Sequence, residues 1–111
     1  RSRAVAAGYH TRGHIEALYY IGKNAFRQRR RAAAIRSFAA ADSLARTLGD
    51  SVDEQAVNGY CALANLYLGM AYDELGQHES SSISFKRVLE LPDQNSSHDL
   101  ARRYRKEPFS R

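Results

Sequence analysis

With 111 residues, a hydrophobic share of 43% and an aromatic share of 10%, the chain suits one compact domain with a modest core and excludes wholesale disorder. Two prolines favour helix, and a formal net charge of +5 permits an acidic partner. A lone cysteine, Cys61, excludes a disulfide framework or a cysteine metal cluster, and no run approaches the ~18 apolar residues that span a bilayer. No secretory apolar region opens the sequence, so an intracellular, cytoplasmic location is expected. It begins with Arg1 and closes on a basic segment, which reads as a piece of a longer protein or as a processed or trimmed one.

In chain order, Val5, Ala6 and Tyr9 fall on one side of a segment that could be the tail of a preceding helix, broken at Thr11 and Gly13. The spacing of Ala17, Leu18, Ile21, Ala25 and Phe26 then predicts a helix over 15–27. Gly22 inside it costs roughly 0.5–1 kcal/mol against Ala, so it marks a place where two helices approach closely. Gln28 to Arg31 is a basic break. A second helix is predicted over 32–48, burying Ala34, Ile35, Phe38, Ala41, Ala45 and Leu48, with Gly49 as its C-cap. Ser51 and Glu54 form a capping box for a third helix over 52–75. Its apolar positions, Tyr60, Ala64, Leu68, Ala71, Tyr72 and Leu75, recur at spacings of three and four. Gly76 stops it. A fourth helix carries Ile83, Phe85, Val88, Leu89 and Leu91 and ends at Pro92. After a polar loop, Ser96 with Asp99 would cap a short helix over 97–107 bearing Leu100, Ala101 and Tyr104, closed by Pro108.

The Gln55–Leu91 stretch resembles a tetratricopeptide repeat, a helical pair of about 34 residues. Leu68 and Gly69 match the family's Leu-Gly pair, Tyr72 its aromatic position and Gly76 its turn. Ser81 and Phe85 match the second helix, and Pro92 lies within one residue of the closing Pro. Asn65 stands where the family prefers Trp, and Val88 where it prefers Ala. The earlier hairpin fits the same pattern through Ile21, Gly22, Ala25, Ala34, Phe38 and Ala41, with Arg29 at the turn. In both copies the aromatic follows the Gly by 16 residues, Phe38 after Gly22 and Phe85 after Gly69. Successive units are 47 residues apart, longer than the family norm.

The resemblance implies an all-α fold of antiparallel helical hairpins stacked as a short right-handed solenoid, with hairpins over 15–49 and 51–92. Helix 97–107 would be either a capping helix or the start of a further repeat, and further repeats of the same chain are expected. By carry-over, each first helix lines an inner wall presenting Asn24, Arg27, Asn65 and Asp73, with Asn58 and Cys61 one turn earlier. Such groups can bind an extended peptide or an acidic side chain. No full Lys/Asn/Arg constellation matches the carboxylate clamp of chaperone-binding members.

No catalytic arrangement is evident. His10, His14 and Glu16 lack the His-Glu-x-x-His spacing of a zinc helix. Adjacent Asp73 and Glu74 point in different directions on a helix, unlike a paired-carboxylate site. Ser80 to Ser82 has no nucleophile elbow, and no Gly-rich phosphate loop is present. Cys61 sits in an apolar pattern and reads as packing. No cofactor and no metal are expected. Two arginine clusters stand out: Arg27, Arg29, Arg30 and Arg31 at a hairpin tip, and Arg102, Arg103 and Arg105 with Lys106 on the last helix. Guanidinium forks suit carboxylate and phosphate, though the bland alternative is a solvated surface. The expectation is a non-catalytic protein-interaction scaffold or adaptor with a protein or peptide partner. A nucleic-acid-associated repeat and a purely architectural subunit segment are the alternatives.

Overall fold

The structure is a computed structural model describing the backbone of residues 3–48 and 54–110 and the side chains of 12–47 and 57–110. Among these residues the chain is all-α, with five helices and no strand: α1 (Arg3–Arg27), α2 (Arg31–Leu48), α3 (Glu54–Glu74), α4 (His78–Glu90) and α5 (Ser97–Lys106). The expected break at Thr11 and Gly13 is absent. α1 is one continuous helix from Arg3, because a single Gly costs too little to interrupt it. The predicted C-cap Gly49 and capping residue Ser51 lie outside the described residues.

The two hairpins close with the same turn. Arg29 N–H donates to Phe26 O and Arg30 N–H to Ala25 O at 2.9 Å; 47 residues on, Gly76 N–H donates to Asp73 O and Gln77 N–H to Tyr72 O, both at 2.9 Å. This is a Schellman closure, whose pivot residue must adopt the left-handed conformation. Gly76 does so at φ 75°, and Arg29, an L-residue, does so at φ 60°. The second helix of each hairpin then starts with the same bond, Ala34 N–H to Arg30 O and Ser81 N–H to Gln77 O, both at 3.0 Å.

Each hairpin is also zipped at the same point. A Cβ on Gly22 would lie 2.7 Å from the Phe38 ring, and one on Gly69 would lie 2.5 Å from the Phe85 ring. Both rings are fully buried. The missing side chain on the first helix is therefore the space that the aromatic of the second helix fills.

The helices pack in sequence: α3 lies on α1 and α2, and α5 lies on α3 and α4. A principal core gathers Ile15, Tyr19, Phe26, Phe38, Leu68 and their neighbours from α1, α2 and α3, with the Phe38 and Tyr67 rings stacked at 5.5 Å. Leu66, Phe85, Val88 and Ala101 form a second core between α3, α4 and α5. Several residues predicted to pack do not. Ile21, Leu75 and Ile83 are 56%, 46% and 68% exposed, and Ala17 is exposed as well. Periodicity assigns a residue to a helix face, but whether another element covers that face is decided by the stack.

The α5 cap also differs from expectation. Ser96 is left-handed (φ 63°) and makes no capping bond. Asp93 acts instead: its Oδ1 accepts from His98 N–H at 2.9 Å and from the Ser97 hydroxyl at 3.3 Å. The His98 N–H, foremost, holds the Asp93 carboxyl below its usual range.

Candidate interaction surfaces

The structure divides the sequence-derived candidates into two groups. Asn24, Arg27, Arg29 and Arg30 are exposed on α1 and its turn, Arg102, Arg103 and Arg105 are exposed on α5, and Asn58 is half-buried on α3. Arg102, Arg103, Arg105 and Lys106 border an open depression together with Ser82 and Asp99, and Asp99 lies 3.5 Å from Arg102. Arg31 is half-buried and pairs with Glu74 at 3.5 Å. The two arginine clusters lie on different helices and different depressions.

Asn65 and Asp73, expected on an open inner wall, are instead buried, 3% and 6% exposed, and their polar atoms are engaged inside the fold. The reason is local. Asn65 Nδ2 donates to Asp42 Oδ1 and to the Cys61 carbonyl, both at 3.0 Å. Asp73 Oδ1 lies 2.9 Å from His78 Nδ1, and its Oδ2 accepts the Phe109 N–H at 2.8 Å. A buried carboxylate or amide must find such partners, and these two find them in α2, α4 and the segment after α5.

A polar cluster that sequence reasoning missed joins α2, α3 and α4. Asp42 is its centre: the Cys61 thiol donates to Oδ1 at 2.9 Å beside Asn65, and Arg46 Nε donates to Oδ2 at 2.9 Å. Arg87 of α4 approaches from the other side, its Nε 3.7 Å from Asp42 Oδ1 and its Nη2 3.9 Å from Cys61 Sγ. Burial pushes the Asp42 carboxyl up, but the hydrogen bonds from Cys61, Arg46 and Asn65 outweigh it and hold the group below its ordinary value. Burial, and then the Asp42 carboxylate, push the Cys61 thiol up to about 12. A protonated, 1% exposed thiol is a hydrogen-bond donor here and a poor nucleophile. The available signal was Asp42 followed four residues later by Arg46, next to the apolar Ala41 and Ala45. That spacing marks a helix-surface pair but not its contacts with α3 and α4.

His14 is exposed on α1, and the His10 side chain lies outside the described residues. Among the described residues no group of three or more His, Cys, Asp and Glu side chains could hold a metal ion, and no helix is long and apolar enough to cross a membrane. Comparison of the chain with protein-family models, with curated proteins and with solved structures finds no match.

Proposed function

We propose that the chain is a non-catalytic protein-interaction module built from tetratricopeptide-like hairpins, and that it engages an acidic protein partner through its exposed arginines. One observation carries the proposal: the two hairpins repeat the same turn bonds and the same Gly–ring contact at a spacing of 47 residues, while equivalent faces differ in cover. On α3, Ala64, Leu68 and Ala71 are buried in the core shared with α1 and α2. Their equivalents on α1, Ala17, Ile21 and Asn24, are exposed among the described residues. Repeated units of this kind expose surfaces at their open faces, and binding rather than chemistry is what such surfaces supply. The protonated Cys61 thiol and the fully engaged Asp42 carboxylate favour a structural role for the polar cluster.

The arginines give the partner its sign. Arg102, Arg103 and Arg105 share one rim, and Arg29 and Arg30 crown a hairpin tip. The test is affinity capture with the wild type and with Arg102→Glu/Arg103→Glu/Arg105→Glu. An acidic protein retained by the first and lost by the second supports the proposal. An unchanged set of bound proteins refutes the role of these arginines. Nucleic acid uses the same guanidinium chemistry, so the same pair is titrated with single-stranded RNA. Affinity that falls log-linearly with salt would move the conclusion to nucleic acid.

A further inference from the structure

α5 stands to the second hairpin as α3 stands to the first. The Tyr67 ring of α3 lies 5.5 Å from Phe38 of α2, and the Tyr104 ring of α5 lies 5.8 Å from Phe85 of α4. Ala64 is buried in the core that holds Phe38, and Ala101 is buried with Phe85. Tyr104 follows Tyr67, and Ala101 follows Ala64, by the same 37 residues, so α5 takes the place of the first helix of a third unit.

The face that receives a second helix can therefore be compared across all three. On α1 it carries Ile15, Tyr19 and Gly22, and on α3 Ala62, Leu66 and Gly69, all buried. α2 covers the first set through Phe38. α4 covers the second, with Phe85 against Gly69 and Leu66 and with Leu91 against Ala62. On α5 the same positions are Asp99, Arg103 and Lys106, all exposed. Together with Arg102, Arg105 and Ser82 of α4 they line an open depression of about 620 Å³. The residues after α5 leave this face: Glu107 is extended, and Phe109 turns to Phe26 and to the Asp73 carboxylate.

The space beside α5 thus has the position of a second helix and is bordered by four cations against one carboxylate. Lys106 stands where Gly22 and Gly69 admit an aromatic ring, so a helix lying here is held off by long side chains and paired to them by its own carboxylates. We propose that this face of α5 receives an acidic amphipathic helix of a partner protein, in the position that α2 and α4 occupy on α1 and α3. The proposal rests on the reading that the α5 arginines bind an acidic protein. It adds the partner's secondary structure and its place on α5.

The experiment titrates the full chain, followed by NMR amide resonances, with two peptides of equal negative charge and about the 13-residue length of α4. One carries Glu along one face and is held helical by a hydrocarbon staple on the opposite face, because so short a segment is not a stable helix in water. The other has no staple and two central prolines, which forbid the helix. The stapled peptide should bind at least ~10-fold more tightly, since its helix is formed in advance, and should shift resonances of α5 and around Ser82. A stapled peptide with Gln in place of Glu should not bind. Arg102→Glu/Arg103→Glu/Arg105→Glu should weaken the stapled acidic peptide at least ~10-fold, whereas Arg36→Glu, exposed on α2, should change it less than ~2-fold. Should the triple Glu variant lose its helical signal, the corresponding triple Gln variant replaces it, with an expected loss of at least ~3-fold. Equal affinity for the two acidic peptides, shifts away from α5, or a comparable loss in Arg36→Glu overturns the proposal and leaves the arginine reading standing. No binding of the stapled acidic peptide at roughly millimolar concentration overturns it as well, and capture of an acidic protein then decides the arginine reading separately.

Discussion

Gly69 lies in the middle of α3, where replacing Gly by Ala ordinarily stabilises a helix by about 0.5–1 kcal/mol. Here the added Cβ would stand 2.5, 2.7 and 2.8 Å from three atoms of the Phe85 ring. Phe85 is fully buried between α3, α4 and α5, so its ring cannot swing aside without opening the second core. Overpacking of this kind costs about 1–3 kcal/mol, and less the helix gain it leaves Gly69→Ala less stable by about 1–2 kcal/mol. For a domain of this size that is a fall in Tm of roughly 4–8 °C. Urea denaturation followed by circular dichroism measures the difference. Gly22→Ala, facing Phe38 at 2.7 Å, should behave alike. Gly13→Ala is the control: nothing lies within 4 Å of its added Cβ, so it should gain about 0.5–1 kcal/mol. Phe85→Leu should relieve the clash, so that Gly69→Ala costs about 1 kcal/mol less in that background than in the wild type. A Gly69→Ala protein as stable as the wild type, or additivity with Phe85→Leu within about 0.5 kcal/mol, would refute the close approach as the reason for this glycine.

Arg29 and Gly76 occupy equivalent left-handed turn positions, so Arg29→Gly should stabilise by about 0.5–1 kcal/mol and Gly76→Ala should destabilise by about 1 kcal/mol in the same denaturation assay. Asp42→Asn leaves one oxygen to accept from Cys61 and Asn65 but removes the charge and turns the oxygen that accepts from Arg46 into an amide donor, and should cost about 1–3 kcal/mol at pH 7. Because the folded-state group ionises below its ordinary 3.8, that contribution is present above this value and disappears as pH falls through the lower folded value. A wild-type advantage unchanged at pH 3 would contradict the charge-assisted cluster. The Cys61 thiol, raised to about 12, should be about one part in 10⁴ thiolate at pH 8. Native protein should therefore resist iodoacetamide while urea-unfolded protein reacts rapidly, and comparable labelling of both, read by mass spectrometry, would contradict its burial.

Much of the helical layout was legible in the sequence for identifiable reasons. Gly76 at a left-handed turn and Pro92 after α4 mark backbone conformations that few other residues suit or permit, so they give boundaries to within a residue or two. Gly22 announced a close approach of two helices, and the equal spacing from Gly22 to Phe38 and from Gly69 to Phe85 marked the hairpins as copies; that each ring fills the space beside its glycine came from the structure. The wall residues were harder. Asn65 and Asp73 occupy positions where a helical wheel permits either a groove or an interior. Asp42 on α2 and Phe109 after α5 turned both inward, and neither contact follows from local pattern. The α5 cap passed to Asp93 because Ser96 took a left-handed conformation that no residue type demanded.

By itself, then, the sequence determined the helical periodicity, the hairpin turns and the two Gly–ring spacings, since each depends on residues near in the chain or on a steric requirement that one residue type meets. Only the tertiary structure decided which apolar faces are covered. Leu68 is buried and its equivalent Ile21 is 56% exposed, although both meet the same helical pattern. The tertiary structure also gathered Asp42, Cys61, Asn65 and Arg87 from three helices and seated Phe109 between α1 and α5 on Asp73 of α3. Burial and the contacts of a charged group depend on what the rest of the chain brings alongside, and that information lies in the packing of distant segments rather than in any one of them.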